Sequence, residues 1–137
     1  MNIKKLTPQQ WAELSEKAHL IVFGKNKPAS MDRIDYALLC EDDKNILGYI
    51  TVREQDSESV YWQFGGTFPG TRSTIKAFHV FQAFIRWARE NCKRVAMLVE
   101  NTNTAMLKFA MKMGFRIVGI RNFQGNILLE HLLEFGG

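Results

Sequence analysis

Hydrophobic and polar positions change their period several times along this chain. After a short strand over Met1–Lys5, Thr7-Pro8 reads as a cap with proline at the first helical position. Trp11, Leu14, Ala18 and Ile21 continue at helical spacing, which predicts a helix from about Pro8 to His19. Gly24, Asn26 and Pro28 break it, and Ala29–Ile34 is read as a second short helix. Tyr36–Cys40 and Ile46–Arg53 form a hairpin pattern around the polar turn Glu41–Asn45. The aromatic run Val60–Phe64 predicts a third antiparallel strand, and Gly65-Gly66 at its end is a candidate bulge.

The widest apolar stripe, Ala77, Val80, Phe81, Phe84, Ile85 and Ala88, predicts a long helix over Ile75–Asn91, mostly buried against a sheet. Val95–Val99 is β-branched and apolar, as a buried strand is. A strand–helix–strand crossover of this length implies a parallel pair. Asn103 leads a short amphipathic helix that stops at Gly114-Phe115. Two further strands, Phe115–Asn122 and Asn126–Leu133, are joined around Phe123-Gln124-Gly125. The sum is an α/β chain, a mixed sheet with helices on both faces.

With 137 residues, 46% of them hydrophobic, the chain has enough for one compact core, and residues 1–137 read as a single domain. No apolar run approaches a membrane span, and Lys4-Lys5 is not followed by the apolar stretch of a signal peptide. Cys40 and Cys92 fit no metal-binding or redox spacing, so they read as reduced thiols of a cytoplasmic protein. The net charge of +4 admits nucleic acid, an acidic protein surface or a phosphorylated cofactor. The basic residues Arg86, Arg89, Lys93 and Arg94 are better explained as a solvated helix face than as a nucleic-acid stripe. No His/Cys metal cluster, P-loop or nucleophile elbow around a serine is present in the sequence.

The order of strand, Asn-led turn, helix, Gly-Phe and strand from Val95 to Ile120 resembles the C-terminal half of the GCN5-related N-acetyltransferase (GNAT) superfamily. The resemblance extends over nearly the whole chain and is strongest from Pro69 to Gly119. It implies a mostly antiparallel sheet whose fourth and fifth strands splay apart. It also implies a phosphate-binding turn before the long helix, with the pattern Gln or Arg, two residues, Gly, one residue, Gly or Ala. Arg72, Ser73, Thr74, Ile75, Lys76 and Ala77 stand at those positions. Physically this is a nest of backbone N–H groups at a positive helix end, suited to the pyrophosphate of coenzyme A. Ile75 sits where the first Gly is expected, so its backbone must be helical or extended.

In the family the pantetheine arm of the co-substrate pairs with the fourth strand, here about Phe64 to Phe68. A backbone N–H near Gly66 or Thr67 would receive the thioester carbonyl. Asn103 matches an Asn that helps hold the cofactor, a role compatible with capping its own helix. Ala110 stands where relatives carry the Tyr that protonates the leaving thiolate. Tyr61 stands where relatives often carry a carboxylate base. It reads as an orienting group or polar relay, or as a plain cross-strand aromatic. Glu100, after the fifth strand, reads as a base facing the cleft or as a solvated carboxylate. The resemblance implies an enzyme transferring an acyl group, most simply acetyl from acetyl-CoA, to a small-molecule or protein amine without a metal. The departures at Ile75, Ala110 and Tyr61 leave a second reading, a catalytically degenerate relative that binds acyl-CoA, protein or nucleic acid. The sequence leaves a homodimer open.

Overall fold

The computed structural model describes residues 1–14, 33–43, 45–67 and 74–136. In chain order they form β1 (Asn2–Leu6), α1 (residues 8–14), β2 (Tyr36–Asp42), β3 (Asn45–Glu54) and β4 (Ser59–Thr67). Then follow α2 (Thr74–Asn91), β5 (Arg94–Glu100), α3 (Thr104–Met113), β6 (Arg116–Phe123) and β7 (Asn126–Glu134). The remainder of the expected first helix, residues 15–19, lies outside the described residues. So do residues 29–32 of the second short helix; Arg33 and Ile34, its last two positions, are not helical.

The strands make one seven-stranded sheet in the order β1-β2-β3-β4-β5-β7-β6. Every neighbouring pair is antiparallel except β4–β5, which is parallel as the helical crossover requires. Both faces of the sheet are covered, which explains why β2 is apolar without interruption over Tyr36–Cys40. Leu38, Ile50, Val52, Val60, Trp62, Val95 and Met97 pack with Val80, Phe84 and Ala88 of α2 and with Ala110 and Phe115. On the opposite face Trp11 of α1 packs with Leu6, Ala37, Leu39 and Tyr49, its ring 4.7 Å from that of Tyr49.

The expected Thr7 cap is present: Gln10 N–H donates to Thr7 Oγ1 at 3.2 Å, and Gln10 Oε1 accepts from Thr7 N–H at 2.9 Å. This reciprocal pair satisfies two donors at the start of α1. The end of α3 is equally local. Gly114 has φ 96°, and its N–H bonds back to the last turn, while Phe115 N–H reaches Ala110 O at 3.0 Å. That closes the helix with a left-handed residue and turns the chain into β6 with Phe115 buried.

The bulge of β4 is not at Gly65-Gly66, where the sequence suggested it. Thr51 pairs with Phe64 and Val52 with Trp62, so Gln63 is the extra residue. Gly65 remains paired with Ile50, and its role is close approach. A Cβ there would lie 2.8 Å from Tyr49 O and 2.9 Å from Ile50 Cγ1.

Candidate functional site at the splay of the sheet

β4 and β5 are paired only over Ser59–Trp62 and Arg94–Met97. β4 then runs on to Thr67 and β5 to Glu100, with no pairing between them. At about 3.3 Å per residue this leaves a free length of roughly 16 Å along β4 and 10 Å along β5. The separation begins at the Gln63 bulge, and a bulge bends its strand and increases local twist. β4 keeps β3 on one side through Thr67, so its other side turns alternating N–H and C=O groups, with no strand partner among the described residues, to the gap. β5 is held away by β7, which pairs with it from Arg94 to Glu100. Such a slot suits an extended ligand that carries amides of its own.

Tyr61, in the last paired part of β4, and Glu100, at the far end of the free part of β5, are on the same face of the sheet. Tyr61 is in register with Ala96, and Ala96, Leu98 and Glu100 alternate with the buried Val95, Met97 and Val99. Four residues of strand, roughly 13 Å, separate the levels of Tyr61 and Glu100. They are thus not brought together as a hydrogen-bonded pair. Burial pushes the Tyr61 phenol above its ordinary value, while the cations of Arg121 and Arg53 work against that shift and Glu130 adds to it. The phenol is therefore protonated at neutral pH. Arg53 lies directly across β3–β4 from Tyr61, and Arg121 is ion-paired with Glu130 at 3.4 Å. Glu100 is exposed, and its carbonyl accepts Asn103 N–H at 3.0 Å in the turn that leads to α3.

Gly66 and Thr67 fall on the unpaired stretch of β4, opposite Tyr49 and Gly48 of β3. Phe68, Arg72 and Ser73 lie outside the described residues. α2 begins at Thr74, so Ile75, Lys76 and Ala77 are in its first turn, which contains no acidic side chain. Ile75 is helical, and its side chain is 73% exposed rather than buried beside the helix end. The first-turn N–H groups of a helix have no partner within it, and the helix dipole makes that end positive. Phe109 of α3 stacks on Phe81 at 6.3 Å and meets Phe78 at 6.0 Å, which fixes α3 beside α2 on the core face.

Asn103 is the N-cap of α3: its Oδ1 accepts Met106 N–H at 3.2 Å. The amide NH₂ of Asn103 has no partner among the described residues. Ala110 is wholly buried in the main core, and the apolar filling around it includes Trp62 and Phe115, whose rings lie 6.3 Å apart.

The sequence reading passed over two adjacent residues at the point of divergence. Trp62 Nε1 and Gln63 Oε1 are both buried side-chain atoms without a hydrogen-bond partner among the described residues. Gln63 Nε2 donates to Arg33 O at 3.3 Å, which orients the amide and leaves its oxygen over. A buried polar atom without a partner costs about 1–3 kcal/mol. The two residues lie where β4 stops pairing with β5, Trp62 packed among the core aromatics and Gln63 turned toward the start of β2. The available signal was a single amide inside an aromatic strand, Trp62-Gln63-Phe64.

Residues 4–115 match the family model of the Acetyltransferase (GNAT) family. No curated protein matches the chain in sequence. Among solved structures, the ribosomal-protein-S18-alanine N-acetyltransferase of Escherichia coli superposes with a TM-score of 0.76 at 10% identity, over 99% of this chain and 96% of that one. A GNAT family acetyltransferase from Elizabethkingia anophelis with acetyl-CoA bound gives 0.67 at 15% identity, covering 98% and 97%. The yncA protein of Salmonella typhimurium with its cofactor acetyl-CoA gives 0.68 at 12% identity, covering 100% and 96%. At these identities the structural likeness establishes the fold, while the sequence match spans most of the length, and the chain belongs to the GNAT acetyltransferase family.

Proposed function

We propose that this chain transfers the acetyl group of acetyl-CoA to an amine acceptor by direct attack of the amine on the thioester. The observation that carries this reading is the end of β4–β5 pairing at Trp62 and Met97, with an unpaired β4 edge beyond it. Acetyl-CoA, bound in the Elizabethkingia and Salmonella structures, supplies the activated acetyl group. In this chain the edge over Gln63–Thr67 would hold the amide-bearing arm by strand-like hydrogen bonds. The first-turn N–H groups of Ile75, Lys76 and Ala77, with Arg72, Ser73 and Thr74 before them, would take the pyrophosphate. Asn103, at the far lip, would contribute its amide NH₂.

Donors in place before reaction stabilise charge that develops on an acyl oxygen, and backbone N–H groups near Gly66 and Thr67 are the candidates. The amine must lose a proton, either to Glu100 or to water held near Tyr61, whose neutral phenol positions the amine rather than deprotonating it. With Ala110 buried, no side chain takes the place of a thiolate acid there. The acceptor class is an amine of a small molecule or of a protein; the E. coli relative is named for an alanine of a ribosomal protein. Cys40 and Cys92 are free thiols, which supports a reducing, cytoplasmic compartment.

Calorimetry with acetyl-CoA, followed by thiol release across a panel of amines and N-terminal alanine peptides, tests the proposal. Binding with amine-dependent thiol release is expected. Absence of acetyl-CoA binding would remove the reading, and binding without release for any amine would reduce the chain to a cofactor-binding relative.

A further inference from the structure

On the face of the sheet turned away from α2 and α3, the cross-strand register sets side chains in rows. Arg53, Tyr61, Ala96 and Leu132 form one row across β3, β4, β5 and β7. Glu100, Leu128 and Arg121 form another, nearer the open end of the gap. Ala96, Leu98, Leu128 and Leu132 are half-buried and give this face an apolar floor. Several charges around the floor are already matched. Arg121 Nε lies 3.4 Å from Glu130 Oε1, and Arg116 is ion-paired with Glu134. Asp35 is paired with Arg33 at 3.1 Å and accepts Glu54 N–H at 2.6 Å, so it is engaged although Arg53 also acts on it. Arg53, exposed on β3, and Glu100, exposed at the end of β5, have no ion pair among the described residues.

We propose that the acceptor is an amine that carries its own carboxylate, held with the carboxylate on Arg53 and the amine directed along the gap toward Glu100. This acceptor class presupposes the acyl transfer proposed above. A guanidinium takes a carboxylate by two parallel N–H···O bonds, and one cation balances it. A phosphate dianion would be left one charge short, with Glu130 and Glu100 on the same face to repel it. A diamine would set a second cation beside Arg53, and a plain alkyl amine would leave Arg53 without a use. The protonated phenol of Tyr61, directly across β3–β4 from Arg53, supplies a further donor for the acceptor. The row that holds Arg53 lies one residue below the last β4–β5 pair, Trp62–Met97. The free β4 edge thus starts two residues, roughly 7 Å, beyond that row. The reach of the arginine and a few bonds between amine and carboxylate span this distance, and the intervening methylenes meet the apolar floor. In the transfer the amine nitrogen bonds to the acyl carbon, the C–S bond breaks with its electron pair on the thiolate, and the amine proton passes to Glu100 or water. The acceptor's carboxylate takes no part, so Arg53 acts on choice of acceptor.

The test sets glycine, β-alanine, γ-aminobutyrate and ε-aminocaproate each against its own carboxamide. Thiol release from acetyl-CoA gives KM, and calorimetry in the presence of CoA gives Kd without need of turnover. At least one carboxylate is expected to be favoured over its carboxamide by about ten-fold or more. Arg53→Gln should abolish that preference by weakening the carboxylate alone, and Arg53→Lys should restore part of it. Arg86→Gln, at an exposed arginine on α2, should leave it intact. Carboxamides taken as readily as carboxylates overturn the proposal, even where thiol release upholds the acyl transfer. A preference that survives Arg53→Gln overturns it too, as does the absence of binding by every amino carboxylate. Arg53-dependent binding of a carboxylate without thiol release upholds the Arg53 site and counts against the acyl transfer itself.

Discussion

Asn103 is the residue at which two roles can be separated by substitution, because its two polar atoms are committed differently. Oδ1 accepts Met106 N–H at 3.2 Å and caps α3, whereas the amide NH₂ has no partner among the described residues. The backbone bonds of the same turn, Asn103 N–H to Glu100 O and Leu107 N–H to Asn103 O, do not depend on the side chain. Asn103→Ala therefore removes one capping bond from a ten-residue helix too short to be stable without its surroundings. The loss is about 1 kcal/mol. Spread over the unfolding entropy of a 137-residue chain, at about 2.1 cal/mol/K per residue, this lowers the melting temperature by about 3–4 °C.

Asn103→Ser keeps a capping oxygen, so the melting temperature should stay within a fraction of that loss, but the amide donor is gone. If the NH₂ donates to acetyl-CoA, a hydrogen bond of about 0.5–1.5 kcal/mol corresponds to a 2- to 13-fold weaker affinity. Thermal unfolding read by circular dichroism and titration calorimetry with acetyl-CoA measure the two effects separately. Serine is preferred to aspartate, because a new carboxylate would repel the phosphates whatever the hydrogen bond does. Unchanged affinity in Asn103→Ser would refute the cofactor role and leave the cap. An unchanged melting temperature in Asn103→Ala would refute the cap.

Gly65→Ala forces a Cβ to within 2.8 Å of a backbone oxygen of β3, so a loss of about 1–3 kcal/mol is expected in denaturant unfolding; a neutral result would show that β3 and β4 separate freely. Ala110→Tyr puts a ring where the native methyl is 0% exposed. It should destabilise by about 1–3 kcal/mol or more without raising thiol release, and a gain in turnover would show that the site can open to admit an acid. Asp35 accepts Glu54 N–H at 2.6 Å, and that bond, aided by Arg33 and opposed by desolvation, holds its carboxyl below the ordinary range. Its contribution to stability is complete above about pH 4 and lost as pH falls through the lowered folded value. Asp35→Asn should therefore melt below the natural protein at neutral pH, with the gap closing in acid; a gap that persists at low pH would contradict this.

The elements that depend on local pattern were legible in the sequence. The Asn103 cap, the α3 stripe and the Gly114-Phe115 stop are set within one short segment, and each is found where its residue type requires. The parallel β4–β5 pair also followed, because a helical crossover of that length admits little else. The bulge did not follow. Glycine pairs are a local signal for bulges, but here Gly65 answers a tertiary demand, the close backbone of β3, and the register slips at Gln63 instead. The orphaned atoms of Trp62 and Gln63 were invisible for a related reason. A side chain lacks a partner only by reference to everything packed around it, and no spacing rule contains that information.

The two faces of the sheet divide the departures from the family pattern in a way that bears on mechanism. On the core face, Trp62, Phe81, Phe109 and Phe115 fill the space under the splay, and Ala110 is sealed among that packing. Ile75 opens the first turn of α2 with an exposed apolar side chain. The polar side chains Tyr61, just before the gap, and Glu100, at its end, with Arg53 and Arg121 near the former, stand on the other face. On the proposed reading the core face would give the shape for the cofactor, and the opposite face the groups that would meet an amine. On the proposed reading, proton removal from the amine is assisted by the protein, whereas the thiolate departs without an acid at position 110. A thioester tolerates that asymmetry, because a thiolate is a far better leaving group than the amine that displaces it. On that reading a buried alanine at position 110 would leave out only the less demanding of the two proton transfers, and it is compatible with membership of the family.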